Sequence, residues 1–236
     1  MSGFWYIGIM RFSIDRNIFA TFPGLHLGVV EARGIDNAGS STELMELVRA
    51  QQERIRATMS LGSYSEDPRF VAWQEAYGAF GGKPKKYRCS VENLYRMTLE
   101  GMDLRHINTL VDLYNLVSLK HKLPVGGDDL DRIEGDIRLT FATGEESFVI
   151  LGAEGIDHPK PGEVIYRDDK EVLCRRWNWR ECDKTKMAET TKNALLVVEG
   201  LPPATKEDVT TATKELMDLI EHFCGGKGLI LVLGAG

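Results

Sequence analysis

Around Gly126-Gly127 the apolar pattern of this 236-residue chain changes from helical spacing to alternation, and that switch most limits what the chain can fold into. Ahead of it, Ser40 and Glu43 have the Ser-x-x-Glu spacing of a capping box and predict a helix to about Leu61. Pro68 opens a second helix that ends near Gly81-Gly82. A third runs from about Ser90 to Glu100 with Gly101 as its stop, and a fourth from about Asn108 to Lys122, closed by Leu123-Pro124. An irregular acidic loop with Asp128, Asp129, Asp131 and Glu134 follows. Period-two segments then predict strands at 136–142, 147–151, 163–168, 171–180 and 193–199. A helix over about 205–223 starts after Pro202-Pro203, and Leu229–Leu233 returns as a strand. Two earlier strands, 4–11 and 25–32, precede all the helices. Helices followed by a strand-rich half imply an α+β fold rather than a doubly wound sheet. Without repeats, low-complexity tracts or a long polar linker, residues 1–236 read as a single domain.

Composition excludes several function classes. With 35 acidic and 29 basic side chains the formal charge is −6, so bulk field does not draw phosphates to the surface. A dedicated high-affinity DNA or RNA binder is disfavoured, and any nucleic-acid contact depends on local basic clusters. The four cysteines, Cys89, Cys174, Cys182 and Cys224, form no CxxC pair and no zinc spacing, the pattern of free thiols in a reducing cytoplasm. The apolar N-terminus lacks a basic leader, and no segment reaches the ~20 apolar residues of a membrane span. The chain therefore reads as cytoplasmic.

Several motifs fail on spacing. Gly82-Lys83 resembles the end of a P-loop, but Tyr77 takes the first glycine position and Pro84 the magnesium-binding one. Asp129-Leu130-Asp131 begins like a calcium loop, yet Ile133 falls where a third oxygen ligand is needed. No His-x-x-x-His pair and no Gly-x-Ser-x-Gly elbow is present. Neither a metal nor a cofactor is expected.

Four features carry candidate chemistry. Asn108, Asp112 and Asn115 share one face of an otherwise apolar helix. Either Asn108 caps the helix while Asp112 and Asn115 bond nearby backbone, or Asn115 projects into a pocket rimmed by Pro124-Val125-Gly126-Gly127. Lys83, Lys85, Lys86 and Arg88 surround Tyr87, either a solvated patch or a contact for phosphates and a stacked base. Glu199, at the end of the apolar strand 194–198, is a carboxylate for an amine or a water, or a turn residue before Gly200. In Arg175-Arg176-Trp177-Asn178-Trp179-Arg180, read as a strand, the two tryptophans share one face with Arg175. Arg176, Asn178 and Arg180 then line the other, one wall of a binding site for an anion or carbonyl.

The run Val111-Asp112-Leu113-Tyr114-Asn115-Leu116-Val117, then Leu123-Pro124-Val125 and Asp129-Leu130-Asp131-Arg132-Ile133, resembles the central editing domain of bacterial phenylalanyl-tRNA synthetase β subunits. Free-standing relatives of that domain are closer still, with a Trp-Asn-Trp-Arg segment and a Thr-Lys-Asn-Ala-Leu-Leu strand as in 177–180 and 191–196. The resemblance spans residues 84–200, about half the chain. It implies an α+β fold with a large mixed or antiparallel sheet flanked by helices, and a pocket that binds an aminoacyl ester at a tRNA 3′ end. Asn115 and Pro124 match the family's pocket motifs. The family's turn histidine is replaced by Gly126, and the strand Asn193–Val198 lacks the glutamate that reads a tyrosyl hydroxyl. No aminoacylation module is recognisable.

Three functions follow. The first is trans deacylation of mischarged aminoacyl-tRNA, with Asn115, Asn178 and the 126–127 backbone as donors and Arg176 on ribose or phosphate. Its general base is one of Glu199, Asp112 and the substrate itself. The second is a non-catalytic module that binds a tRNA end or a free amino acid. The third is a small-molecule enzyme acting on an anionic ligand.

Overall fold

In the computed structural model the described residues are 3–7 and 10–234. Strands β1 (Gly3–Ile7) and β2 (Met10–Ile14) pair antiparallel, so the single strand expected over 4–11 is two; residues 8 and 9 lie outside the described residues. Helix α1 (Arg16–Thr21) leads into β3 (His26–Arg33), and α2 (Thr42–Thr58) follows. Its cap is Ser41, whose side chain accepts from the Leu44 N–H, one residue beyond the capping box expected from Ser40 and Glu43. Helix α3 (Pro68–Ala79) has proline in its first turn and Asp67 as its cap, and α4 is Ser90–Leu99. Asn108 caps α5 (Thr109–His121), which ends at Lys122 in the left-handed conformation.

The expected acidic loop is largely ordered. Val125–Asp129 forms β4, because it pairs antiparallel with β9 (Asn193–Gly200), with Gly126 opposite Val197. Between them lie β5 (Ile137–Phe141), β6 (Val164–Arg167), β7 (Val172–Arg175) and the two-residue β8 (Arg180–Glu181). The strand expected at 147–151 is reduced to isolated bridges, Phe148 to Asp157 and Ile150 to Cys182. Helix α6 (Lys206–Cys224) begins with a true capping box, Thr205 and Asp208, and β10 (Lys227–Gly234) returns beside β3.

The α+β class is as expected, and the strands divide into two sheets. One runs β1-β2-β5-β6-β7-β8, antiparallel except for β2 with β5; the other, β10-β3-β9-β4, is antiparallel throughout. Every residue of β9 from Ala194 to Gly200 is buried, because both faces of that strand are covered. Ala194, Leu196 and Val198 pack on α2, α5 and α6; Leu195 and Val197 face the other sheet. Period two then turns Glu199 into the space between the sheets. Gly28 is required in β3 because a Cβ there would fall 1.7 Å from the Thr213 hydroxyl of α6. Among the described residues no helix is long and apolar enough to cross a membrane.

Candidate functional site

The ten-residue strand expected over 171–180 does not form. β7 ends at Arg175, and Arg176 and Trp177 both take the left-handed backbone, with φ of 46° and 67°. Non-glycine residues adopt this at a cost of about 1–3 kcal/mol each. The reversal is closed by the Trp179 N–H donating to the Arg175 carbonyl at 3.2 Å and the Trp177 N–H donating to Val164 at 2.7 Å. It is held by burial of the Trp177 indole, which is fully enclosed and edge-on to Phe22 (4.7 Å) and Trp73 (5.0 Å).

A turn replaces the alternation, so the expected row of Arg176, Asn178 and Arg180 is dispersed. Arg175 is buried against Glu163, its Nε 2.9 Å from Oε1, and also contacts Asp157. Arg176 sits in the corner between Tyr87 and Trp179, 3.8 and 4.4 Å from the ring centroids. Asn178 turns inward to Glu199, and Arg180 is exposed over Trp179.

Glu199 is the centre of a buried network. Oε1 accepts from the Tyr166 hydroxyl at 2.5 Å and the Trp177 Nε1 at 2.7 Å; Oε2 accepts from the Asn178 amide at 2.5 Å. Asn178 in turn accepts from the Tyr77 hydroxyl at 2.9 Å. Burial pushes the Glu199 carboxyl up to about 7, and the three donors act in the opposite direction. Two further carboxylates share its chamber, Asp128 from β4 and Glu181 from β8. Burial raises Asp128 to about 6 although Thr185 donates to it at 2.5 Å. Glu181 is held well above the ordinary carboxylate range by burial, then by the nearby charges of Asp128 and Glu199.

Glu181, Gly126 and Asn178 separate two spaces. The inner chamber, about 30 Å³, is bounded by Phe12, Tyr166, Trp177 and the three carboxylates. The outer cleft, about 650 Å³, lies between α4, α5, β4 and β8. Asn115 lines it beside Tyr114, and so do Asn178, Arg180, Lys86 and Arg88. Arg88 and Arg96 on its rim are paired with Glu92 and Glu100; Lys86 and Arg180 have no acidic partner among the described residues. Gly126 carries no side chain into this opening, since a Cβ would lie 2.9 Å from Glu181 Oε1.

Other expected site residues lie elsewhere. Pro124 is buried and accepts the Glu199 N–H through its carbonyl, and Gly127 lines only the inner chamber. Arg176, Tyr87 and Lys83 face a third cavity, and Lys85 is exposed outside all three. Asp112 is committed to His106 Nδ1 at 2.5 Å and the Ile107 N–H at 3.3 Å, away from the cleft. Sequence reasoning missed Glu181, Asp128 and Tyr166. Glu181 directly follows the Trp-Asn-Trp-Arg segment, which was the one local signal for it. Among the described residues no group of three or more His, Cys, Asp or Glu side chains is arranged to hold a metal ion.

The sequence profile of the B3/4 domain matches residues 72–225, a span that includes every residue lining the cleft and all of the inner chamber except Phe12. The chain is similar to the phenylalanine–tRNA ligase β subunit of Fusobacterium nucleatum subsp. nucleatum, 29% identical over 119 residues, covering 50% of this chain and 14% of that protein. Among solved structures it is similar to an N-terminal fragment of the phenylalanyl-tRNA synthetase β subunit from Pyrococcus horikoshii, at 13% identity and a TM-score of 0.46. That match covers 98% of this chain and 54% of the fragment. The chain thus spans about a seventh of the curated relative and about half of the solved one.

Proposed function

The chain belongs to the B3/4 domain family, and from that premise we propose that its cleft receives the aminoacylated 3′ end of a tRNA and hydrolyses the ester in trans. The observation that carries this reading is the polarity of the cleft, basic at the rim (Lys86, Arg180) and acidic at the floor (Glu181, with Asp128 and Glu199 behind). An aminoacyl ester has the complementary order, phosphates outside and an ammonium at the tip. A free amino acid would bring a carboxylate as well, which an acidic floor repels.

Glu181 is the general base in this reading. Glu199 is already engaged by three donors, whereas Glu181 borders the open cleft. Ionised Glu181 takes a proton from water as the water oxygen bonds to the ester carbonyl carbon. The carbonyl oxygen becomes an oxyanion; collapse breaks the bond to the ribose oxygen, which recovers the proton from Glu181. An oxyanion donor in the cleft is available from Asn115.

The test is deacylation of a panel of mischarged aminoacyl-tRNAs by the natural protein and by Glu181→Gln. Turnover of at least one pair is expected, falling about 100-fold or more in the variant. Activity should rise with pH, because Glu181 must lose its proton to act. If no ester is cleaved while free amino acids raise the melting temperature, the chain is a binding module without chemistry.

A further inference from the structure

We infer that the third cavity, on the far side of Lys86 from the cleft, is a phosphate-binding subsite for the nucleic-acid backbone next to the bound 3′ end. This rests on the cleft reading above for the source of the phosphate, though not for the anion chemistry. The cavity is about 150 Å³ and is lined by Lys83, Lys86, Tyr87, Lys160, Glu163 and Arg176.

Arg176 is the decisive residue. It is only 7% exposed, yet among the described residues its guanidinium makes no hydrogen bond; its nearest acidic atom, Glu163 Oε2, is 3.7 Å from Nη2. Glu163 is already spent on other donors. Its oxygens accept from Arg175 Nε at 2.9 Å and Nη2 at 3.1 Å, and from the Arg176 backbone N–H at 3.1 Å. No Arg176 nitrogen is fully sealed, so the unused N–H groups open into the cavity, where they are free for a ligand. The rings of Tyr87 and Trp179, at 79° to each other, hold the cation in their corner and take up none of its hydrogen bonds, which leaves its N–H groups for a planar or tetrahedral anion.

The setting agrees with this. Lys83, Lys86 and Lys160 are exposed and have no acidic partner among the described residues, so the cavity carries an uncompensated positive charge on an acidic protein. Lys86 borders both this cavity and the cleft and lies over Tyr87 at 5.2 Å, so the two sites are adjacent. The left-handed backbone at Arg176 is the distortion that delivers the guanidinium here rather than to the cleft.

Two probes test the subsite on the full chain: inorganic phosphate and the trinucleotide CpCpA, each titrated calorimetrically. Phosphate is expected to bind and to compete with CpCpA. Lys160→Glu and Lys83→Glu, both at exposed positions, should weaken both probes by tenfold or more. The slope of log affinity against log salt for CpCpA should become shallower by about 0.7 for each phosphate that is no longer neutralised. Arg176→Gln should abolish phosphate binding, with the melting temperature checked in parallel because its side chain is buried. Phosphate binding that the lysine variants remove, without any CpCpA binding, upholds the subsite and overturns the RNA reading. CpCpA binding left unchanged by both lysine variants overturns the subsite and leaves the RNA reading standing. Failure of phosphate to bind the natural protein also overturns it.

Discussion

Glu199→Gln should stabilise this protein at neutral pH and leave it unchanged in acid. The buried carboxyl is near 7 in the folded chain, against an ordinary value of 4.5. A group whose folded value is raised binds more protons folded than unfolded between the two values, so stability falls as pH rises through that window. The contribution is fully present below about pH 4.5 and is lost above about 7. At 1.36 kcal/mol per pH unit the loss amounts to roughly 3 kcal/mol. Glutamine is isosteric with the protonated form. Its carbonyl keeps the Tyr166 and Trp177 bonds, and its amide replaces the acid proton opposite Asn178, whose side-chain amide must flip in either case. Urea denaturation of both proteins between pH 4.5 and 8 reads the effect, because groups that Glu199 does not perturb, such as Asp128, cancel in the difference, while relief of Glu181 from the Glu199 charge adds in the same direction. The two should agree within about 1 kcal/mol at pH 4.5, and the variant should be more stable by roughly 3 kcal/mol at pH 8. A constant destabilisation at every pH would refute the reasoning. It would mean that the three donors hold Glu199 ionised throughout.

Three further substitutions probe the scaffold. Gly127→Ala places a Cβ 2.4 Å from the Leu195 carbonyl, a backbone atom that cannot yield, so a loss of 2 kcal/mol or more is expected by chemical denaturation (about the range of core overpacking). Gly126→Ala meets only the end of the Glu181 side chain at 2.9 Å; the fold should persist while ester turnover falls, which separates the two glycines. Arg175→Met removes the main partner of buried Glu163 and should cost about 3–5 kcal/mol, read from the denaturation midpoint at pH 7.

The local signals in this chain were legible where one residue settles one bond. Asn108 caps α5, Pro68 begins α3, and the apolar run after Asn193 becomes a strand covered on both faces. Those outcomes depend on backbone donors within a turn of the residue, or on burial of every side chain in a short run. The alternation drawn through Trp177 and Trp179 failed for a different reason. Nothing in Arg176-Trp177 marks a left-handed turn, since neither residue is glycine or asparagine. The turn exists because Phe22 and Trp73, far away in sequence, offer Trp177 an enclosed site whose burial outweighs the strain.

The sequence by itself determined the α+β class, most element boundaries and the family to which residues 72–225 belong. Only the tertiary structure decided where the chemistry lies. Asp128, Glu181 and Glu199 come from three different strands, and no spacing rule links them. They meet because β4 and β9 pair in one sheet while β8 ends the other, and the two sheets face each other across Trp177. Long-range packing also sent Arg176 to one cavity and Asn178 to another from turn positions two residues apart, a division that any periodic reading of the chain must miss.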